Sequence, residues 1–299
     1  MYKLISAGFY RLCKSFCFKI YIECGFLYGL FNVLLRCLDV MRVRMYVPSG
    51  EHDLEIADPM LEMYENNLDS VLFDCAMTLL LFAAVFIAFF IGREHSDGTI
   101  RNKLIVGYDR GAVYLSNLIV CVTANIFCLF IGIGVTMALG IPLLGTSFTF
   151  TEIAVRIGYM IAADIAVTAL MVFGAMLIKS KAAICATLLI SVFACLIVSI
   201  AVSQSLAAPE YYNDYEVVMG ENGEYSVEMN EGLVNPYYVT GVRRQIYEFL
   251  DEALPISQLY HMAASAETPE PATALTSDAV ILIAISAAGI LIFRKKNIK

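Results

Sequence analysis

Long apolar runs alternate with short charged segments along this chain, and the runs are all of one kind. Six of them, Ile20 to Leu38, Val71 to Gly92, Ala112 to Leu139, Ile153 to Ile178, Ala182 to Ala201 and Ala279 to Phe293, hold leucine, isoleucine and alanine throughout. A helix needs about 20 mainly apolar residues to cross a hydrocarbon core of about 30 Å. The last run falls short of that at about 1.5 Å per residue, so its helix is expected to begin earlier, within Thr273 to Asp278. None has the alternating rhythm of a barrel strand, and the pattern predicts an all-α polytopic membrane protein with six transmembrane helices. Composition agrees, with 59% hydrophobic residues against about 45–50% in soluble domains.

The segments between the runs carry patterns of their own. Residues 2 to 18 place Leu4, Ile5, Phe9, Leu12 and Phe16 on one side and Lys3, Arg11 and Lys14 elsewhere, which suits a helix lying on the inner leaflet. A plain basic flank to the first span is the alternative. In the last long loop, Tyr215 to Met219 and Tyr225 to Met229 flank Glu221, Asn222, Gly223 and Glu224, and Asn-Gly is the strongest short hairpin signal. GVRRQIYEFLDEAL follows, with Val242, Ile246, Phe249, Leu250 and Ala253 at helical spacing, charged residues facing away and Pro255 after its end. A β-hairpin and an amphipathic helix resting on the outer membrane surface are expected, an unordered acidic loop being the alternative. Glu267 to Pro271 reads as an extended linker into the sixth span.

Charge orients the spans. With the N-terminus inside, residues 1–19, 93–111, 179–181 and 294–299 are cytoplasmic and hold 14 of the 20 basic residues. The long outside loops are acidic: residues 41–70 carry seven acids against Arg42 and Arg44, and residues 204–278 carry thirteen against Arg243 and Arg244. Lysine and arginine near span ends favour the cytoplasmic side, and Arg294 to Lys296 together with Lys179 and Lys181 decide for an N-in/C-in topology. The chain then divides into a surface helix (1–19), spans one to five with a central loop at 93–111 (20–203), an outside loop (204–278), and a sixth span with a basic tail (279–299). Arg36, Asp39, Arg42 and Arg44 close the first run without a small-residue cleavage site, so it is expected to be retained and not cleaved as a signal peptide. The net charge of −8 is an exterior property, and basic groups scattered along one face form no groove for nucleic acid.

Catalytic chemistry is mostly missing from the pattern. There is no GxxxxGK[ST] loop, no HExxH and no Gly-x-Ser-x-Gly, so no nucleotide hydrolysis, catalytic residue or cofactor is expected of the chain itself. The nine cysteines sit in or beside spans and none lies in either large outside loop, which fits small apolar packing residues; no pair has metal-ligand spacing with His52, His95 or His261. Charges inside spans are costly, which draws attention to Glu23, Asp74, Arg156 and Asp164. Lys19 with Glu23, and Glu152 with Arg156, have the spacing of helical ion pairs. Asp164 has no such neighbour: it is either a polar point on a translocation path or a proton site, or it is hydrogen-bonded to Thr168 or a neighbouring helix. Gly132, Gly134, Ala138 and Gly140 suit close helix approach.

The segment Phe89 to Val120, FFIGREHSDGTIRNKLIVGYDRGAVYLSNLIV, interrupts two apolar runs on the cytoplasmic side. Ile100, Leu104 and Ile105 can anchor a small surface helix while Arg101, Lys103 and Asp109 stay in water; an ordinary polar turn is the alternative. Glu94, Gly98, Thr99, Ile100, Arg101, Asn102, Lys103 and Gly107, followed by Tyr114, Leu115 and Ser116, resemble the loop after the second span in the type-2 family of ABC transporter permeases. The string NPYYVTGVRRQIYEFLDEALP, Asn235 to Pro255, is similar to the last outside loop of many such permeases in Gram-positive bacteria.

The resemblance covers nearly the whole chain. It implies the membrane-spanning subunit of a bacterial plasma-membrane transporter, an exporter by this likeness, paired with a second permease subunit. A separate ATPase subunit would bind ATP and magnesium, and Glu94 to Gly107 would be the coupling element that docks into it, surface-exposed and marginal to the core. A membrane sensor or scaffold that transmits force without transport is the competing expectation.

Overall fold

The computed structural model describes residues 1–46, 68–219, 225–264 and 270–295. Ten helices and one hairpin follow in chain order: α1 (Tyr2–Lys14), α2 (Phe16–Tyr46), α3 (Leu68–Ser96), α4 (Thr99–Ile105), α5 (Arg110–Leu144), α6 (Phe150–Leu177), α7 (Lys181–Ala207), β1 (Tyr211–Met219), β2 (Tyr225–Val234), α8 (Gly241–Ala253), α9 (Pro255–Ala264) and α10 (Pro271–Lys295). Six are long and apolar enough to cross a membrane: α2, α3, α5, α6, α7 and α10. This is an all-α, multi-pass membrane protein.

Every predicted span is present, and most run past their predicted ends. α10 starts at Pro271, where a missing N–H costs nothing in a first turn, so the sixth helix is long enough to span. α5 has 35 residues, which at about 1.5 Å each exceeds the core thickness and requires it to tilt or project.

α3 and α6 form the centre of the bundle. Phe73, Cys75, Ala84, Ile87 and Ile91 on α3, and Met160, Ala163, Ala169 and Val172 on α6, are fully enclosed by protein. The outer helices present large apolar side chains instead: Phe26 and Phe31 on α2, Ile190 and Phe193 on α7, Ile283 and Leu291 on α10. Lipid is no less apolar than leucine, so these faces cost nothing in a bilayer, and association rests on close packing. Small residues allow that packing where α2 and α3 meet α5: a Cβ on Gly29 of α2 would sit 2.7 Å from the Gly132 carbonyl oxygen, and one on Gly132 would sit 2.6 Å from Cys75 Sγ of α3. Gly140 likewise admits Leu68, whereas Gly134 faces open space and takes no part. All nine thiols are free.

The outside loop is only partly as expected. β1 and β2 pair antiparallel from Tyr211 with Val234 to Met219 with Tyr225, a longer hairpin than predicted, with an irregularity at Asn213. Its Asn-Gly turn, and all but the end of the linker at Glu267 to Pro271, lie outside the described residues. α8 forms over the predicted amphipathic stretch, with Val242, Ile246 and Phe249 exposed and not packed on protein. Pro255 follows the end of α8, as expected. It opens α9, whose Ile256, Leu259 and Met262 are buried against α3, α6 and α7.

Candidate functional site

The basic face of the bundle collects α1, α4 and the C-terminal end of α10. α1 docks through Leu4, Gly8 and Leu12 onto α5, close enough that a Cβ on Gly8 would lie 2.7 Å from Val120 Cγ2. Arg11, expected to face away from the apolar side, turns inward, and its Cζ lies 4.0 Å from the centre of the Phe90 ring.

α3 ends where Gly98, at φ 68°, turns the chain into the short helix α4, and Gly107, at φ 98°, turns it out again. These left-handed positions suit glycine because a Cβ would be strained there. Asp109 then caps α5, accepting from the amides of Gly111 (2.8 Å) and Ala112 (3.3 Å) and from Arg294 Nη2 (3.4 Å). Slight desolvation pushes the Asp109 carboxyl up, but the Ala112 and Gly111 amides and the Arg294 charge together outweigh it and hold it below the usual carboxylate range. Arg110 Nη1 donates to the Arg294 carbonyl at 3.0 Å, so the start of α5 is tied to the end of α10.

Glu94 is the centre of this face, and it is not at the surface. Its residue exposure is 1%. Oε1 takes both the Arg11 guanidinium and the Lys103 ammonium, and Oε2 accepts from Asn117 Nδ2 at 2.6 Å. One carboxylate on α3 thereby joins α1, α4 and α5, and Asn117 Nδ2 also reaches Met176 Sδ on α6 at 3.7 Å. The expectation of an exposed Glu94 is corrected for a plain reason: a carboxylate met by two cations and an amide donor can stay charged away from water.

The other residues of the segment divide by face. Ile100 is fully buried and anchors α4, as expected, and Leu104 is half-buried beside it. Lys103 is drawn under the helix to Glu94 and does not remain in water. Arg101 and Asn102 are exposed, and Thr99 is half-buried. Ile105 was expected to anchor the helix, yet it stands out at 71% exposure beside Val106 at 76%. An apolar tip thus projects from the basic face.

Asp164 sits at mid-span on α6 with 7% exposure. The expected bond to Thr168 is not made, and its Oδ2 has no hydrogen-bond partner among the described residues. The Thr168 hydroxyl accepts instead from Asn125 Nδ2 at 2.6 Å, while Asn125 Oδ1 accepts from Tyr21 at 3.2 Å. This chain joins α2, α5 and α6 one helical turn from Asp164. Asn117 and Asn125 were missed because only charged residues in the spans were weighed; an asparagine in an apolar run is itself a signal, since it carries donors and acceptors into lipid.

Two of the remaining span charges have local partners, whereas the expected Lys19–Glu23 ion pair is not made. Tyr28 Oη lies 2.8 Å from both Asp74 Oδ2 and Thr78 Oγ1. Arg156 lies over Phe148, Cζ 4.1 Å from its ring centre, and Glu152 closes a capping box with Thr149. Among the described residues no three His, Cys, Asp or Glu side chains gather to hold a metal. No family model, curated protein or solved structure matches the chain.

Proposed function

We propose that the chain is the membrane-spanning permease subunit of an ABC transporter, an exporter in a bacterial plasma membrane, driven by a separate ATPase subunit that carries ATP and magnesium. The observation that carries this reading is the tie through Glu94. It fastens α4 to α1, α3 and α5 at once, while Ile105 and Val106 project from the same helix. A segment that is exposed at its tip and rigidly held at its base can pass a push from a partner into the spans. Glu94, Gly98, Thr99, Ile100, Arg101, Asn102, Lys103 and Gly107 keep the coupling role that the resemblance implies, with the duties divided. Glu94, Ile100 and Lys103 transmit from beneath, and the exposed tip docks.

Asp164 belongs to the translocation path in this reading, with a second permease subunit completing the path. The experiment is co-expression of the full chain with a stand-alone phosphate-loop ATPase encoded by a neighbouring reading frame, whose absence would itself count against the reading. A stable complex whose hydrolysis is lost or uncoupled by Ile105→Ser with Val106→Ser supports the reading. A chain that binds no such ATPase, or whose complex is indifferent to these changes, returns the protein to the sensor or scaffold class.

A further inference from the structure

Arg11 has more donors than Glu94 can take. Its Nη1 reaches the carboxylate, but Nε and Nη2 are buried and have no acceptor among the described residues. Unpaired buried donors are costly, and two adjacent guanidinium donors form the fork that matches a pair of anionic oxygens. The guanidinium lines a cavity of about 270 Å³ between α1 and the end of α3, with Lys14, Ser15, Arg93 and Thr99 around it. Two acids also line it, and both are already engaged: Glu94 by Arg11 and Lys103, and Asp97 by Arg93 at 3.1 Å. Three cations line the cavity against two carboxylates, and Lys103 holds Glu94 from outside it, so the site favours an anion.

The cavity continues into an apolar seam. Cys17 and Phe89 are shared with an apolar groove of about 270 Å³ between α2 and α3, which passes through Cys24 and Phe82 into a second groove of about 470 Å³ reaching Phe31 and Leu34. From Cys17 to Phe31 the helix rises about 21 Å, more than the roughly 15 Å of hydrocarbon in one leaflet. A free phosphate would satisfy the basic end but leave the groove without an occupant.

We infer that this seam binds one anionic lipid of the inner leaflet, its phosphate on the Arg11 fork between Lys14 and Arg93 and one acyl chain along α2 and α3. The headgroup then shares Arg11 with Glu94, which also holds Lys103 of α4. Lipid occupancy is thereby linked to the seating of that helix.

The chain contains no tryptophan, so Phe89→Trp places a single indole at the junction of cavity and groove. The full chain carrying it is reconstituted in phosphatidylcholine nanodiscs with a minor fraction of brominated phosphatidylglycerol or, separately, of brominated phosphatidylcholine. Quenching is expected to be severalfold stronger with the anionic lipid. Lys14→Gln with Arg93→Gln, both at exposed positions, should erase the preference, and millimolar inorganic phosphate should not. Equal quenching by the two lipids overturns the inference, as does a preference that survives both substitutions. Loss of preference in inorganic phosphate marks a free-anion site and overturns the lipid assignment. Phe82→Trp, further along the groove, repeats the measurement should Phe89→Trp perturb the junction. No ATPase is present, so failure here is separate from failure of the permease reading.

Discussion

Glu94 and Asp164 are carboxylates of similar burial in one bundle, and their surroundings are opposite. Glu94 is met by Arg11, Lys103 and Asn117 from three other helices. Asp164 leaves one oxygen with no partner among the described residues, although Tyr21, Asn125 and Thr168 form a closed chain beside it. A saturated charge fixes its neighbours relative to one another, because any one of them can leave only at the cost of an unpaired buried charge. An unsaturated one fixes nothing and is open to a proton, a water or a ligand. The bundle therefore has a rigid joint at its basic face and an uncommitted polar point at its middle.

The largest test of that contrast is Glu94→Ala. It leaves Arg11 and Lys103 facing each other under α4, and stability should fall by about 3–5 kcal/mol, read as unfolding of the detergent-solubilised chain. An unchanged unfolding curve would mean that the joint is not a joint. Asn125→Ala comes next. It strips the Tyr21–Thr168 chain of its centre and should cost about 1–3 kcal/mol; a neutral outcome would place that chain with Asp164 among the uncommitted groups. Asp164→Asn should change stability by less than about 1 kcal/mol in either direction, and a loss on the scale of Glu94→Ala would collapse the comparison. Smallest of all is Ile105→Ser with Val106→Ser. Both side chains are exposed, so unfolding should not shift, and a clear loss would show that the tip packs against the bundle.

The spans, the short helix between Gly98 and Gly107 and the amphipathic helix α8 were legible in the sequence because each is dictated by a local pattern: run length, glycine placement or periodicity. Glu94 was legible as a position but not as a state. Lys103, nine residues after it, is a partner the sequence put within reach, together with Arg101, and the pair with Lys103 is made; Arg11, 83 residues before it, and Asn117, 23 after it, are announced by no periodicity. The helical face of α1 was read correctly for Leu4 and Leu12 and wrongly for Arg11, since a long side chain can turn back beneath its own helix. α9 went unread: Pro255 does follow the end of α8, as expected, but it is also a favoured first residue and opens the next helix. Ile256, Leu259 and Met262 recur at helical spacing behind it and could have corrected that.

α9 also says something about the order in which the chain is made. Its buried face rests on α3, α6 and α7, and Ser257 Oγ lies 2.8 Å from Ser199 Oγ on α7. All three helices precede it along the chain, so the packing around Pro255–Ala264 can close only after α7 has been made, and that end of the bundle takes its final form late in synthesis, with α10 the one span still to follow.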